Sequence, residues 1–190
     1  LFIYTFYQYS LPLRLNSITN SLEEGSLGSH LESLFIMRQG KVLAIFIASR
    51  PGGATEARRS VLAEPAKGIQ GDRYFRSDGS WATKQGSGRQ ITLIEVEAIR
   101  SAESVLGHEI PLGSSRRNII TEGISLNELV GKEFSVGETR LLATRLCDPC
   151  KYLGQLTSPA LSEALKNRGG LRCDILQGGE IRVGDPVISE

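Results

Sequence analysis

From residue 41 onward the chain is cut into short apolar runs by turns bearing glycine and proline, and this segmentation constrains the fold more than any other feature. Residues 42–48 are rich in β-branched and aromatic side chains and end at Pro51-Gly52-Gly53, the pattern of a buried strand followed by a loop. Residues 60–64 form a second strand candidate that stops at Pro65. Residues 90–94 read as a strand running directly into a helix, with Val96, Ile99, Ala102, Val105 and Leu106 at helical spacing and Gly107 as its stop. A strand is expected over 116–121. Ser125 and Glu128 then form a capping box for a one-turn helix over 126–130, closed by Gly131. Residues 134–139 read as a strand and hairpin turn into a strand ending at Cys147. A second helix opens with Pro159 at its first position and runs to residue 168, with Leu161, Ala164 and Leu165 on one face. The tail reads as a hairpin, 171–176 with 181–183, and a closing strand over 186–189. These elements do not alternate strand with helix. The expected architecture is mainly β with some α: a mostly antiparallel, twisted sheet closed or nearly closed into a barrel, with a few peripheral helices.

With 190 residues, 40% of them apolar and 23% charged, the chain is sized for one globular domain with its own core, which the pattern assigns to 37–190. Residues 1–36 look different. Their apolar, aromatic start lacks a basic flank and is too short to span a bilayer, and Glu23, Glu24 and Glu32 argue against a transit peptide. Met37, the sole methionine, stands just before the first clean strand pattern, so 1–36 is expected to be an N-terminal extension or upstream, cloning-derived sequence. A formal charge of +1 gives no global drive toward nucleic acid or a membrane. Three cysteines, an odd number, make no disulfide framework and point to a reducing, cytoplasmic compartment. Zinc takes about four ligands, and beyond residue 37 the chain offers Cys147, Cys150, Cys173 and His108 with no second CxxC.

The chemistry concentrates in two stretches. Cys147-Asp148-Pro149-Cys150 follows the apolar run 141–146, and proline cannot donate to a continuing ladder, so the strand ends in a turn with a thiol at its mouth. Upstream, Ser115-Arg116-Arg117-Asn118 brings two guanidinium groups and an amide into another run, a set of donors suited to an anion. The two stretches are expected to face one pocket. A thioredoxin-type CxxC opens a helix, whereas the next helical pattern here comes only at Pro159. Gly68-Ile69-Gln70-Gly71 marks a tight turn with Asp72-Arg73 fixed after it; taken alone, that pair reads as a surface ion pair. Residues 75–89 carry no periodicity. Their glycines with Lys84 and Arg89 suit either an anion-cradling nest or a surface loop, and Trp81 either a pocket wall or an anchor. His108 reads as a helix C-terminal cap and Cys173 as a buried core residue.

Six motifs in order resemble the MOSC domain: Gly68 to Tyr74; Arg116-Arg117-Asn118-Ile119 with Thr121-Glu122-Gly123; Leu129-Val130-Gly131; the Cys147 to Cys150 turn; Arg168-Gly169-Gly170-Leu171; and Val183-Gly184-Asp185-Pro186-Val187. This is the C-terminal domain of molybdenum-cofactor sulfurase, found also in stand-alone bacterial proteins and in the amidoxime-reducing component. The resemblance covers nearly all of 41–188. It implies a β-barrel of the type in the small domain of pyruvate kinase, and binding of the molybdenum cofactor, a pterin dithiolene (molybdopterin) with a phosphate tail. It also implies one cysteine acting as molybdenum ligand or as carrier of sulfane sulfur. That cysteine falls on Cys150, with Cys147 and Asp148 beside it in the turn. Arg116 and Asn118 match the Arg-x-Asn of the cofactor pocket with Arg117 at the middle position, and Asp72 and Arg73 match a turn at the pocket's rim.

Two functions follow from that resemblance. In one, Cys150 ligates molybdenum and the protein reduces N-hydroxylated small molecules, with electrons from a partner reductase because no flavin, haem or iron-sulfur motif is visible. In the other, Cys150 carries a persulfide received from a separate cysteine desulfurase, since no lysine motif for pyridoxal phosphate can be placed in this chain. The oligomeric state cannot be read from the sequence.

Overall fold

β1 (Arg38–Ile47) is the strand that closes the barrel, because its ten residues serve three neighbours in turn. Its start pairs antiparallel with β11 (Pro186–Ser189), its middle with β6 (Ile119–Glu122), and its end with β2 (Glu56–Arg58). A register shift between Val42 and Ala44 bends it midway, the usual means of turning a barrel corner. This computed structural model describes residues 38–75 and 87–189. The chain divides into Leu1–Leu34 and Phe35–Glu190, and all described residues belong to the second unit. Residues 1–36 with Met37, and the loop positions Trp81 and Lys84, lie outside the described residues.

Around the barrel the strand order is β1, β11, β7 (Glu133–Val136), β8 (Thr139–Leu146), β9 (Leu171–Gln177), β5 (Ile91–Glu95) and β6, which returns to β1. These seven strands form a closed β-barrel, with β2 appended as an eighth. A small second sheet holds β10 (Gly179–Arg182), β3 (Ser60–Glu64) and β4 (Gly68–Ile69). Among the described residues only β5 and β6 pair in parallel, since α1 (Val96–Leu106) between them supplies the crossover a parallel pair requires. The fold is mostly β with some α.

Burial follows from that topology. Val42, Ile45, Leu93, Ile119, Leu141 and Leu171 fill the barrel. Ile94 and Ile120, on the opposite face of the same strands, pack with Ile99 and Ala102 of α1 and with Leu161 and Leu165. Strands β5 and β6 are thus covered on both sides, which is why they read as continuous apolar runs. Gly170 before β9 has φ 89°, and a Cβ there would lie 1.9 Å from the Leu93 carbonyl oxygen, so only glycine lets β9 approach β5.

Several local expectations are corrected. The strand expected from 116 begins at Ile119, because a 3-10 turn at Leu112–Ser115 precedes it and Arg116 is left-handed, φ 57°. The one-turn helix is a 3-10 turn, Leu126–Leu129, and Ser125 gives it no side-chain cap; the Leu126 N–H donates instead to Glu95 Oε1. Val105, expected on the apolar face of α1, is 73% exposed. Gly107, not His108, caps α1, with its N–H on the Glu103 carbonyl. The helix at Pro159 ends early (α3, Pro159–Ala164), and a further short helix, α2 (Lys151–Leu156), stands where none was expected. The tail is not a hairpin: β9 pairs with β8 and β5, while β10 crosses to β3. Cys173 is buried in the core, as its alternation with apolar neighbours predicts.

Candidate functional site

The cleft lies where β8, the corner before β6 and the turn after β4 meet. At the end of β8 the Cys147 N–H donates to the Gly170 carbonyl (2.7 Å), and the chain leaves the barrel there because Pro149 follows. Cys147 is buried. Cys150 is exposed, in extended conformation, at the start of α2. A helix thus does open directly after the CxxC, contrary to the expectation of none before Pro159, but the two thiols differ in access.

Arg116 owes its place to the left-handed residue that ends the 3-10 turn, and it lines the same cleft as Cys150. Burial, then the neighbouring Arg73 charge, push its guanidinium below the usual arginine range; Tyr152, Asp72 and Tyr74 act in the opposite direction. No hydrogen bond or ion pair of the Arg116 side chain is found among the described residues. Arg117, the next residue, turns the other way. It is 7% exposed and donates from Nε to the Gly169 carbonyl (2.8 Å), from Nη1 to the Ser115 carbonyl (3.1 Å) and from Nη2 to the Cys147 carbonyl (2.7 Å).

Asp72 is also inside. The turn through Gly68 and Gly71, both at positive φ, delivers its carboxylate to the Ala48 and Tyr74 N–H groups at 3.0 Å each. Arg73 Nη1 and Asn118 Nδ2 stand 3.5 Å from the same oxygen, Oδ2. Asp72-Arg73 is thus no surface pair: the side chains are 4% and 15% exposed. The Arg73 guanidinium lies 4.7 Å from the Tyr74 ring centroid, which turns both residues into one wall. Asn118 accepts from the Thr92 N–H and hydroxyl through Oδ1 and donates to the Phe46 carbonyl through Nδ2, tying β5 to β1 at the base of the cleft.

The resulting cleft is open to solvent. Arg73, Arg116, Arg117, Asn118 and Cys150 line it as a group. Asp72 lies behind the wall, and Asp148 is exposed and not part of the lining. Arg89 lines the cleft too, whereas the Lys84 expected beside it lies outside the described residues. Arg172, Thr92, Tyr74, Tyr152, Leu153 and Leu156 join the site without having been singled out from the sequence. For Arg172 a signal existed: an arginine alternating with Leu171 and Cys173 in a buried strand. For Tyr152 none did, because α2 itself was not legible. Five arginines, Arg73, Arg89, Arg116, Arg117 and Arg172, therefore line the cleft, with the Asp72 carboxylate behind Arg73 and the Arg117 guanidinium held by backbone carbonyls. Arg116, partly desolvated beside Arg73 and without an acid partner among the described residues, is the group best placed to take an anion. No group of three or more His, Cys, Asp or Glu side chains able to hold a metal occurs among the described residues. A thiolate-bound metal would need ligands of its own.

Fold and site together define a closed β-barrel with a cation-walled cleft and a free thiol at its mouth. The chain belongs to the MOSC domain family, whose model matches residues 82–188. Its fold is similar to that of the YuaD protein from Bacillus subtilis, at 18% identity and a TM-score of 0.68, over 80% of this chain and 96% of that one. YiiM from Geobacillus stearothermophilus is similar at 16% identity and a TM-score of 0.62, over 80% of this chain and 75% of its own. YiiM from Escherichia coli follows at 14% and 0.55, over 79% of this chain and 70% of its own. No curated protein matches the chain. MOSC domains are associated with the molybdenum cofactor, and the donor set fits that group: a soft thiol, guanidinium groups for a phosphate, and tyrosine walls for a flat ring. Among the described residues no helix is long and apolar enough to cross a membrane.

Proposed function

We propose that the protein binds the molybdenum cofactor in this cleft, with Cys150 as molybdenum ligand, and reduces N-hydroxylated small molecules such as hydroxylamino-purines or amidoximes with electrons from a partner reductase. The observation that carries this reading is the convergence of one exposed thiol with several arginines, Arg116 foremost, on a single cleft. When bound, the cofactor supplies the two-electron removal of oxygen from the N–O bond. The chain supplies binding and orientation. Arg116, half-buried and without an acid partner among the described residues, is the foremost candidate to hold the phosphate, with Arg73, Arg89 and Arg172 adding to the positive field. Tyr74, Tyr152, Leu153 and Leu156 offer flat apolar surface that excludes water from one side of a bound ring. Asp72 and Asn118 fix the wall from behind through the bonds described above. Cys150, exposed at the mouth, leaves the reacting side open to substrate and reductase.

That same exposure favours one other reading, a sulfur carrier whose Cys150 receives a persulfide from a separate desulfurase and hands it to a metal-sulfur or cofactor acceptor. Turnover separates the two. Holoprotein from a cofactor-competent host, supplied with chemically reduced viologen, is expected to reduce benzamidoxime, and Cys150→Ser to fall to background. A wild type without activity that yields cyanide-releasable sulfur from Cys150 would select the carrier.

A further inference from the structure

Arg117 presents a physical puzzle. A buried guanidinium costs several kcal/mol in desolvation unless it is matched, yet no ion pair of Arg117 is found among the described residues. Its fork is satisfied by three backbone carbonyls from three separate segments: the 3-10 corner at Ser115, the end of β8 at Cys147, and the turn before β9 at Gly169. The Cys147 N–H is held by Gly170 in turn, so the backbone at Cys147 is gripped on both sides. Three residues further on stands Cys150. Gly169 completes the grip from outside: a Cβ there would lie 2.3 Å from the Cys147 carbonyl oxygen and 2.9 Å from Pro149 Cδ. Substituting this glycine would push the base of the thiol-bearing turn away from the guanidinium.

We propose that Arg117 is a positioning residue: by gripping the Cys147, Gly169 and Ser115 carbonyls, it anchors the turn that sets the Cys150 thiol among the cleft's guanidinium groups. This deepens the function proposed above and rests on it only for the claim that Cys150 is the working thiol. Lysine cannot replace the fork, since one ammonium on a flexible stem does not span three fixed acceptors.

The test alkylates Cys150 in the full chain, made in a host without the cofactor, and reads the Cys150 peptide by mass spectrometry. Negatively charged iodoacetate is drawn by the guanidinium groups and neutral iodoacetamide is not, so the ratio of their rates reports how close the sulfur sits to them. Arg117→Lys and Gly169→Ala both keep every charge, and each is expected to lower that ratio about threefold or more. Val136→Ala, a buried truncation on β7 outside the cleft lining, is expected to lower thermal stability and leave the ratio at the wild-type value. A wild-type ratio in either folded charge-preserving variant overturns the proposal, as does an equal fall in Val136→Ala. Should Arg117→Lys not fold, Gly169→Ala decides alone. No step needs molybdenum, so failure of the cofactor reading and failure of this one are separately visible.

Discussion

Cys150 and Cys173 hold the same functional group in opposite surroundings. Cys173 sits on β9 opposite Ala143 of β8 and Ile91 of β5, where burial first, then Asp174 and Cys147, push its thiol well above the ordinary 9.0. At pH 8, iodoacetamide is therefore expected to modify Cys150 in the native chain and Cys173 only after denaturation. Equal labelling of the two in native protein would contradict the structure. The linkage has a definite sign. Above about pH 9 the unfolded chain loses the Cys173 proton while the folded chain keeps it, so stability falls as pH rises, and Cys173→Ala should flatten that alkaline slope. Residue type alone announced much of the site, since a thiol in an Asp148-Pro149 turn and a doubled arginine are unusual in any strand. What the sequence did not disclose is which arginine faces the cleft, because a left-handed residue at Arg116 decides it.

Elements hold one another here through backbone N–H groups. The carboxylates at the start of α1 secure the loop after β6: Glu95 accepts from the Leu126 N–H and Glu97 from the Gly123 N–H, so the 3-10 turn needs no cap of its own. Burial, the largest cause, raises Glu95 above the usual carboxylate range, with Glu97 adding to it and the Leu126 and Arg168 contacts opposing. A carboxyl raised on folding binds its proton more tightly in the native state. Stability from this group is thus greatest below the ordinary value of 4.5 and declines as pH rises through the raised one. Glu95→Gln, which keeps an acceptor for Leu126, is expected to match or exceed wild-type stability at pH 7, with the difference vanishing below the ordinary carboxylate value, where both side chains are uncharged. Urea titrations at the two pH values check this; a variant equally destabilised at both would refute it. The capping box failed as a forecast because the half-buried Glu95 carboxylate at the start of α1 takes the Leu126 N–H in place of Ser125. α2 was missed because six residues with Gly154 inside carry little helical signal; Gly154 packs against Pro159 and Ser162 of α3, a contact invisible to local pattern. The β9–β10 hairpin failed similarly, since β10 finds its partner in β3, more than a hundred residues earlier.

On the scale of the molecule, a formal charge of +1 conceals an uneven distribution, with five arginines lining one cleft, Arg117 among them with its guanidinium held by backbone carbonyls. An anion that binds only the folded state stabilises it by mass action. Inorganic phosphate at ten times its dissociation constant should add about 1.4 kcal/mol and raise the melting temperature by roughly 3–6 °C. Arg116→Gln should remove most of that increment, and a melting curve indifferent to phosphate would count against the cleft as an anion site. Barrel closure was legible from the count and brevity of the strands, because so many short apolar runs without a strand-helix alternation leave few other ways to bury one face of each. The tyrosine wall and Arg172 became visible only once β8, β9 and α2 were brought together.

The central claim is that Cys150 holds molybdenum in this cleft. Its most direct test is the molybdenum content and oxidised-pterin fluorescence of the purified protein from a host that makes the cofactor, wild type beside Cys150→Ser. Near-stoichiometric metal and pterin in wild type, with metal lost in the variant, is the predicted result. Wild-type protein carrying neither metal nor pterin would contradict it.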